Sequence, residues 1–339
     1  MKRKKHRVLL RADGGKKTGI GHLVRSLTLA TALKESGVEV LLAGDGARNA
    51  QLLDPSFSHV QVADINFPGL DPEVRFIDSW CPDLVIADGY AFTAGFFSLL
   101  RERKIPFGVI DDNFETQAER PLFLLNQNPI ANRDMYPKDW TETTFLLGLE
   151  FALIRQAILE KGSASNCPRG NMVLLTIGGT DSLGVAPLLA ESLHRLGLPI
   201  AIPGNQVADQ AKLIKQTGMV SQRTLVFSPS DYPAHLSAAK FAVLGGGSSL
   251  YEALALEIPT IAVVVAENQM PSARLLRDRG HLVGLVDMQI DKSESLLEFE
   301  HMVKRLVSDG PKSLPSGLDL TTGKIRAVEE ISRLLLFGT

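Results

Sequence analysis

The stretch "HRVLLRADGGKKTGIGHLVRSLTLATALKESG", His6 to Gly37, reads as strand, glycine-rich loop and helix in direct succession. Residues 6–13 form an apolar run of strand length, and 22–36 carry helical periodicity. Between them four glycines fall at Gly14, Gly15, Gly19 and Gly21, and His22 opens the helix. Glycines let a backbone approach a ligand closely, and a helix N-terminus offers free N–H groups and the positive end of its dipole. The loop is not a dinucleotide fingerprint. Val24 stands where G-x-G-x-x-G requires its third glycine, and the strand ends several residues before Gly19. No Gly-Lys-Ser or Gly-Lys-Thr follows, so it is not a Walker loop either.

The alternation of strand and helix continues. Runs at 38–44, 59–64, 83–89 and 106–112 read as buried strands, with amphipathic segments near 71–80 and 92–103. Near-continuous apolar strands separated by helices mean a parallel sheet covered on both faces. A stretch rich in Gly, Ser, Pro and Asn, Lys161–Asn171, reads as a linker. A second series of strands follows at 172–179, 199–205, 224–230, 241–247, 259–266 and 282–288. Helices are expected between them at 182–196, 208–217, 248–257 and 268–280, and a last helix near 322–336. The fold class expected is α/β, with two Rossmann-like domains at 1–160 and 171–310 facing across a cleft. Ligands of open α/β sheets bind at the carboxyl ends of the strands. The tail, 311–339, carries a helix that can return to the N-terminal domain.

Bulk properties narrow the function. The 339 residues carry a formal net charge of −2, so no basic excess exists to neutralise phosphates, which argues against a dedicated nucleic-acid binder. The basic run "MKRKKHR" is followed only by "VLL" before Arg11, too short for a signal peptide, and reads as a solvated tail. The longest apolar run elsewhere, Ile261–Ala266, is far short of the ~20 residues of a membrane span. Cys81 and Cys167 are too few for a disulfide framework or a zinc site, and two reduced thiols in a cytoplasmic protein are expected. No motif sets an oligomeric state.

Two further loops repeat the strand–glycine–helix theme. In "TIGGTDSLG", Thr176–Gly184, Gly178 and Gly179 allow close approach to a ligand. In "LGGGSSLYEALALEIP", Leu244–Pro259, Gly246 and Gly247 do the same. Ser248 and Ser249 are expected to cap the following helix and to add hydroxyl donors. Glu252 lies one turn further on, where a carboxylate can accept two hydrogen bonds from a ribose diol. Any one such loop could be a tight turn with a cap. Two in one domain, one with a placed carboxylate, favour a nucleoside diphosphate. His22 is placed to work as a neutral base at the end of the first strand. The other six histidines fall in the tail, strand flanks or helix surfaces and are read as structural or exposed. Asp111 and Asp112 have no third carboxylate or histidine nearby in sequence, so turn and cap roles are expected of them rather than a metal site. No metal and no cofactor is implied.

Several segments occur in a telling order: "RADGG…GIGHLVRSLTLA", "DGY" (88–90), "IDDN" (110–113), "LLNQN" (124–128), "LLGLEFALIR" (146–155), "IGGTDS" (177–182), "GGGSSLYEALALEIPTI" (245–261) and "AENQ" (266–269). Together, over about residues 7–285, they resemble the PseG family of nucleotide-sugar hydrolases of sialic-acid-like sugar biosynthesis, and its spore-coat polysaccharide relatives called SpsG. The resemblance implies the GT-B fold of inverting glycosyltransferases such as MurG. It also implies release of UDP and a free 2,4-diacetamido-2,4,6-trideoxyhexose, as in the pseudaminic and legionaminic acid routes. It assigns the essential histidine to His22, a tyrosine to Tyr90 and an asparagine to Asn268. It places the uridine diphosphate on Gly178–Gly179 and Gly246–Ser249, with Glu252 on the ribose. Gly21, Arg25 and Gln269 are expected on the sugar or phosphate. The family carries cysteine where this chain has Ser26. Two other readings stay open: a glycosyltransferase in which His22 deprotonates an acceptor hydroxyl, and a non-catalytic nucleotide-sugar-binding protein.

Overall fold

The computed structural model describes residues 5–12, 14, 20–67, 69–163, 169–178, 181, 183–204, 223–310, 315 and 318–337. Gly15, Gly19, Cys167, Gly179 and the helix expected at 208–217 lie outside the described residues. The chain divides into two compact units, Met1–Ile154 with Leu320–Thr339, and Arg155–Asp319. The first crossing falls at Ile154–Arg155, ahead of the Gly/Ser/Pro-rich stretch.

In the first unit the strands are β1 (Arg7–Ala12), β2 (Glu39–Gly44), β3 (Gln61–Asp64), β4 (Leu84–Asp88), β5 (Phe107–Ile110), β6 (Phe123–Asn126) and β7 (Thr144–Leu147). They form one sheet in the order β3-β2-β1-β4-β5-β6-β7, all pairs parallel. The helices are α1 (Gly21–Glu35), α2 (Ala47–Gln51), α3 (Leu70–Trp80) and α4 (Ala94–Glu102). Apolar residues bury both faces. Val8, Leu10 and Ala12 of β1 join Leu23, Leu27 and Ala30 of α1 on one face, while Leu9 joins Phe96, Phe97 and Leu100 of α4 on the other. Each of the Val, Leu and Phe side chains among them contributes roughly 1.5–3 kcal/mol on full burial. The terminal helix α11 (Gly323–Phe337) belongs to this unit and packs Ala327, Val328 and Ile331 into the α1 layer. It enters against the backbone of Ala152, whose oxygen and nitrogen would lie 2.5 and 2.6 Å from a Cβ at position 323, so only glycine fits there.

The second unit has β8 (Val173–Thr176), β9 (Ile200–Pro203), β10 (Thr224–Phe227), β11 (Phe241–Gly245), β12 (Thr260–Val264) and β13 (Gly284–Asp287). Their order, β10-β9-β8-β11-β12-β13, repeats that of the first sheet and is again parallel. The described helices are α5 (Gln156–Ser163), α6 (Ala186–Arg195), α7 (Tyr232–Ser237), α8 (Ser249–Ala255), α9 (Met270–Asp278) and α10 (Lys292–Asp309). Leu189 and Leu193 of α6 meet Phe299 and Val303 of α10 over the inner residues of β8, β11 and β12. Sequence reading missed β6 and β7, together with α2, α5, α7 and α10.

In each sheet the order runs three-two-one-four-five, the doubly wound arrangement whose direction of winding reverses beside its first strand. The reversal opens a crevice at the carboxyl ends of the first and fourth strands, where such sheets bind ligands. In the first unit those strands are β1 and β4. In the second they are β8 and β11, which lead into the two glycine loops at 177–184 and 246–248.

Candidate active site

The first-unit crevice is filled by a charged cluster. Ala12 and Asp88, the last residues of β1 and β4, stand side by side in the sheet. Asp88 is fully buried. The helix that follows β1 presents His22, Arg25 and Ser26 on one face, the i, i+3, i+4 spacing of an α-helix. All three reach Asp88. His22 Nδ1 lies 2.8 Å from Asp88 Oδ1, Arg25 Nε lies 2.9 Å from both carboxylate oxygens, and Ser26 Oγ donates to Oδ2 at 2.7 Å. Arg25 Nη1 extends to Asp112 Oδ2 at 2.6 Å, and the Tyr90 hydroxyl donates to Asp112 Oδ1 at 2.8 Å. The rings of His22 and Tyr90 meet edge to face at 4.8 Å and 83°.

The charges around Nδ1 assign the tautomer of His22. Arg25 Nη2 also lies 3.0 Å from Nδ1, but Arg25 can only donate, and Nη2 already has Asp88 Oδ1 as an acceptor at 2.5 Å. Asp88 can only accept, so Nδ1 carries the hydrogen and donates it to Oδ1. The unshared pair is then on Nε2. The arrangement has the geometry of the base–orienter pair of acyl-transfer triads, in which a buried aspartate holds an imidazole by one nitrogen.

The charges of the cluster are settled by mutual contact. Burial raises the Asp88 carboxyl, but the Arg25 guanidinium and His22 outweigh it and hold its pKa down at about 2. Asp112 is likewise held below the usual carboxylate range: burial opposes this, and Arg25, His22 and the Tyr90 hydroxyl prevail. Burial also works against the charge of Arg25, yet Asp112 and Asp88 together push it further up, so it stays a cation. Burial and the adjacent Asp112 push the Tyr90 phenol well up, leaving it a hydrogen-bond donor. Tyr90 is nonetheless half exposed, so it presents a ring to solvent while its hydroxyl is anchored.

Two expectations change here. Arg25, expected on the sugar or phosphate, is buried with its guanidinium turned to Asp88 and Asp112. Asp112, expected in a turn, lies in the bend 112–114 and is in addition the shared acceptor of Arg25 and Tyr90. Its neighbour Asp111 does close a turn, accepting from Asn113 N at 3.3 Å, and also accepts from the buried Tyr136 hydroxyl at 3.1 Å. Gly21 is the first residue of α1, and among the described residues a Cβ there would meet no atom within 4 Å.

The second-unit crevice is built from backbone. Gly178 has φ +89°, the left-handed region that favours glycine, and Asp181 accepts from Val185 N and Ala186 N at 2.9 and 2.8 Å to start α6. Gly246 continues the sheet through its N–H to Val263 O at 3.1 Å. Gln269 packs directly on it: a Cβ at 246 would fall 2.7 Å from that of Gln269, so the glycine is needed for their approach. Gln269 Oε1 accepts from Val265 N at 3.0 Å. Asn268 is exposed in the single 3₁₀ turn Glu267–Gln269. Ser248 precedes α8 but makes no capping bond, because it already has helical φ and ψ of −60° and −23°. The expected cap is therefore absent at Ser248, and Ser249 is the first helical residue. Gly247 has open space around its Cα among the described residues. Glu252 is buried, and Arg155 Nε and Nη2 grip its two carboxylate oxygens at 2.6 and 2.8 Å.

Asp88 and Arg155 are residues that sequence reading did not single out, and Asp112 was read only for a turn. Each sat inside a motif that was read for another residue: "DGY" for its tyrosine, "IDDN" as a turn, and "LLGLEFALIR" as a whole.

No family model matches the chain, and no curated protein does. Solved structures do. The chain superposes on MurG from Acinetobacter baumannii with a TM-score of 0.59 at 15% identity, over 97% of this chain and 100% of that one. UDP-GlcNAc 2-epimerase from Methanocaldococcus jannaschii, in complex with UDP-GlcNAc and UDP, gives 0.65 at 13%, over 98% and 100%. A glycosyltransferase from Rickettsia africae gives 0.58 at 13%, over 99% and 100%. At these identities the likeness is one of fold. The two Rossmann-like units form the GT-B fold, the class the sequence motifs implied. Among the described residues no helix is long and apolar enough to cross a membrane.

Proposed function

We propose that this chain is a nucleotide-sugar enzyme that displaces UDP from the anomeric carbon of its substrate, with His22 Nε2 as the base that activates the attacking oxygen. The observation that carries the reading is the His22–Asp88 pair at the strand crevice, with Nδ1 assigned as the donor to the buried carboxylate and Nε2 on the opposite side of the ring. Nucleoside diphosphate is already a good leaving group, so a strong general acid is not required. What catalysis needs is an oriented base, typically worth ~10²–10⁴-fold, and donors for the departing phosphate. Gly178–Gly179, Gly246–Ser249 and the Gln269 amide are assigned to the diphosphate, Glu252 to the ribose, and Tyr90 and Asn268 to the sugar. Asp88, Arg25 and Asp112 position His22 and Tyr90 without touching substrate. Attack from the face opposite UDP inverts the anomeric centre.

The ordered motifs that resemble the PseG family favour water as the nucleophile. The product would then be a free 2,4-diacetamido-2,4,6-trideoxyhexose for sialic-acid-like sugars or spore-coat polysaccharide. The structural neighbours named as glycosyltransferases favour a second reading, in which the nucleophile is an acceptor hydroxyl and the same histidine deprotonates it. Measuring UDP release from UDP-sugars with and without candidate acceptors separates the two. Release without acceptor is expected. Release only with acceptor moves the assignment to transfer, and nucleotide-sugar binding without any release removes the enzymatic reading altogether.

A further inference from the structure

We infer that Arg155 is a positioning residue for nucleotide recognition: it holds Glu252 in the orientation that receives the ribose hydroxyls, and so makes the site selective for ribonucleoside over deoxyribonucleoside diphosphates. The inference rests on the assignment of Glu252 to the ribose. Arg155 is the first residue of the second unit, immediately before α5. Its side chain and that of Glu252 are each 8% exposed, and the two are 97 residues apart in sequence. The fork of Nε and Nη2 meets both carboxylate oxygens, a planar two-bond contact that a lysine cannot copy. The guanidinium carbon lies 5.0 Å from the ring centroid of the buried Tyr232, so the cation lies over an aromatic ring while its edge meets the carboxylate. Gly162 on α5 approaches Leu256, the residue that ends α8, to a distance where a Cβ would fall 2.8 Å from its side chain. The helix that follows Arg155 is thus seated on the helix that carries Glu252.

A carboxylate has about four lone-pair positions. The fork takes one on each oxygen and leaves one on each, fixed in direction. A vicinal diol can use those two only if the carboxylate does not rotate. Without Arg155 the buried carboxylate loses both its counter-charge and its fixed plane. It then turns to other donors, and discrimination for the hydroxyls goes with it.

The test compares UDP with 2′,3′-dideoxy-UDP by calorimetry on the full chain. Wild type should bind UDP about 10- to 100-fold more tightly, the range of one charge-assisted hydrogen bond or slightly more. In Arg155→Met the preference should collapse to within about threefold of unity, with affinity for the dideoxy compound retained as evidence of a folded unit. Should Arg155→Met fail to fold, Arg155→Lys, which keeps the charge but not the fork, should lose most of the preference. Full preference in a folded Arg155 variant overturns the inference while leaving Glu252 on the ribose. A wild type that binds both compounds equally overturns the ribose assignment itself, and the inference with it; Glu252→Gln, expected to lose the preference in the same way, reports on that assignment alone.

Discussion

His22→Asn should lower kcat by about 10²–10⁴ while leaving UDP affinity within a few-fold of wild type. Asparagine retains a hydrogen-bonding side chain of similar reach but has no nitrogen that can take a proton. Nucleotide recognition is assigned to residues of the second unit, so it has no reason to change. His22 is buried beside Asp88, Arg25 and Tyr90, and some loss of stability accompanies the substitution. That loss is read separately by melting temperature, and kcat is expressed per folded molecule. A purely structural histidine gives the opposite pair: lower melting temperature with turnover per folded enzyme preserved.

Asp88→Asn should be nearly as damaging, through a different step. The amide oxygen can still accept from His22, but the amide nitrogen now offers a donor where Arg25 and Ser26 require acceptors. The imidazole loses its fixed tautomer and the negative charge that faces the proton it gains during the reaction, and a fall of about 10²–10⁴ in kcat is expected. Arg25 keeps Asp112 but loses its other carboxylate, so stability falls too, by up to ~3–5 kcal/mol for a broken buried pair.

A pH signature accompanies this second variant. The folded pKa of Asp88, about 2, lies below its ordinary value of ~3.9. Its contribution to stability is therefore complete above about pH 4 and is lost as pH falls through about 2. Acid denaturation followed by circular dichroism should show that component in wild type and lack it in Asp88→Asn. An unchanged acid limb means Asp88 is not held as the contacts show.

The larger elements were legible because parallel strands buried on both faces read as continuous apolar runs, as "VLLRA" and "FAVLG" do. β6 and β7 were missed because "FLLN" and "TFLL" are four-residue strands embedded in a long irregular segment with its own aromatic cluster of Tyr136, Trp140 and Phe145. The long α10 was missed because its buried stripe is narrow and includes Ser295 beside Phe299 and Val303. At the site, the histidine and glycine loops announced themselves through local pattern. Their partners did not. That Asp88 lies beside Ala12, and so within reach of α1, depends on the β1–β4 register, and that Arg155 meets Glu252 depends on the packing of α5. Both are long-range facts that no local spacing encodes. The Ser26 hydroxyl shows the same point in small: it stands where the family carries cysteine, and it donates directly to the buried Asp88.

The central claim is that an oxygen activated by His22 attacks the anomeric carbon from the side opposite UDP. Real-time proton NMR in D₂O, on a UDP-linked 2,4-diacetamido-2,4,6-trideoxyhexose without acceptor, tests it most directly. The donor's anomeric signal should give way first to the free sugar of opposite anomeric configuration, with the hydrogen at C2 retained. First appearance of the same configuration as the donor, or replacement of the C2 hydrogen by deuterium as inversion at C2 by an epimerase demands, would contradict it.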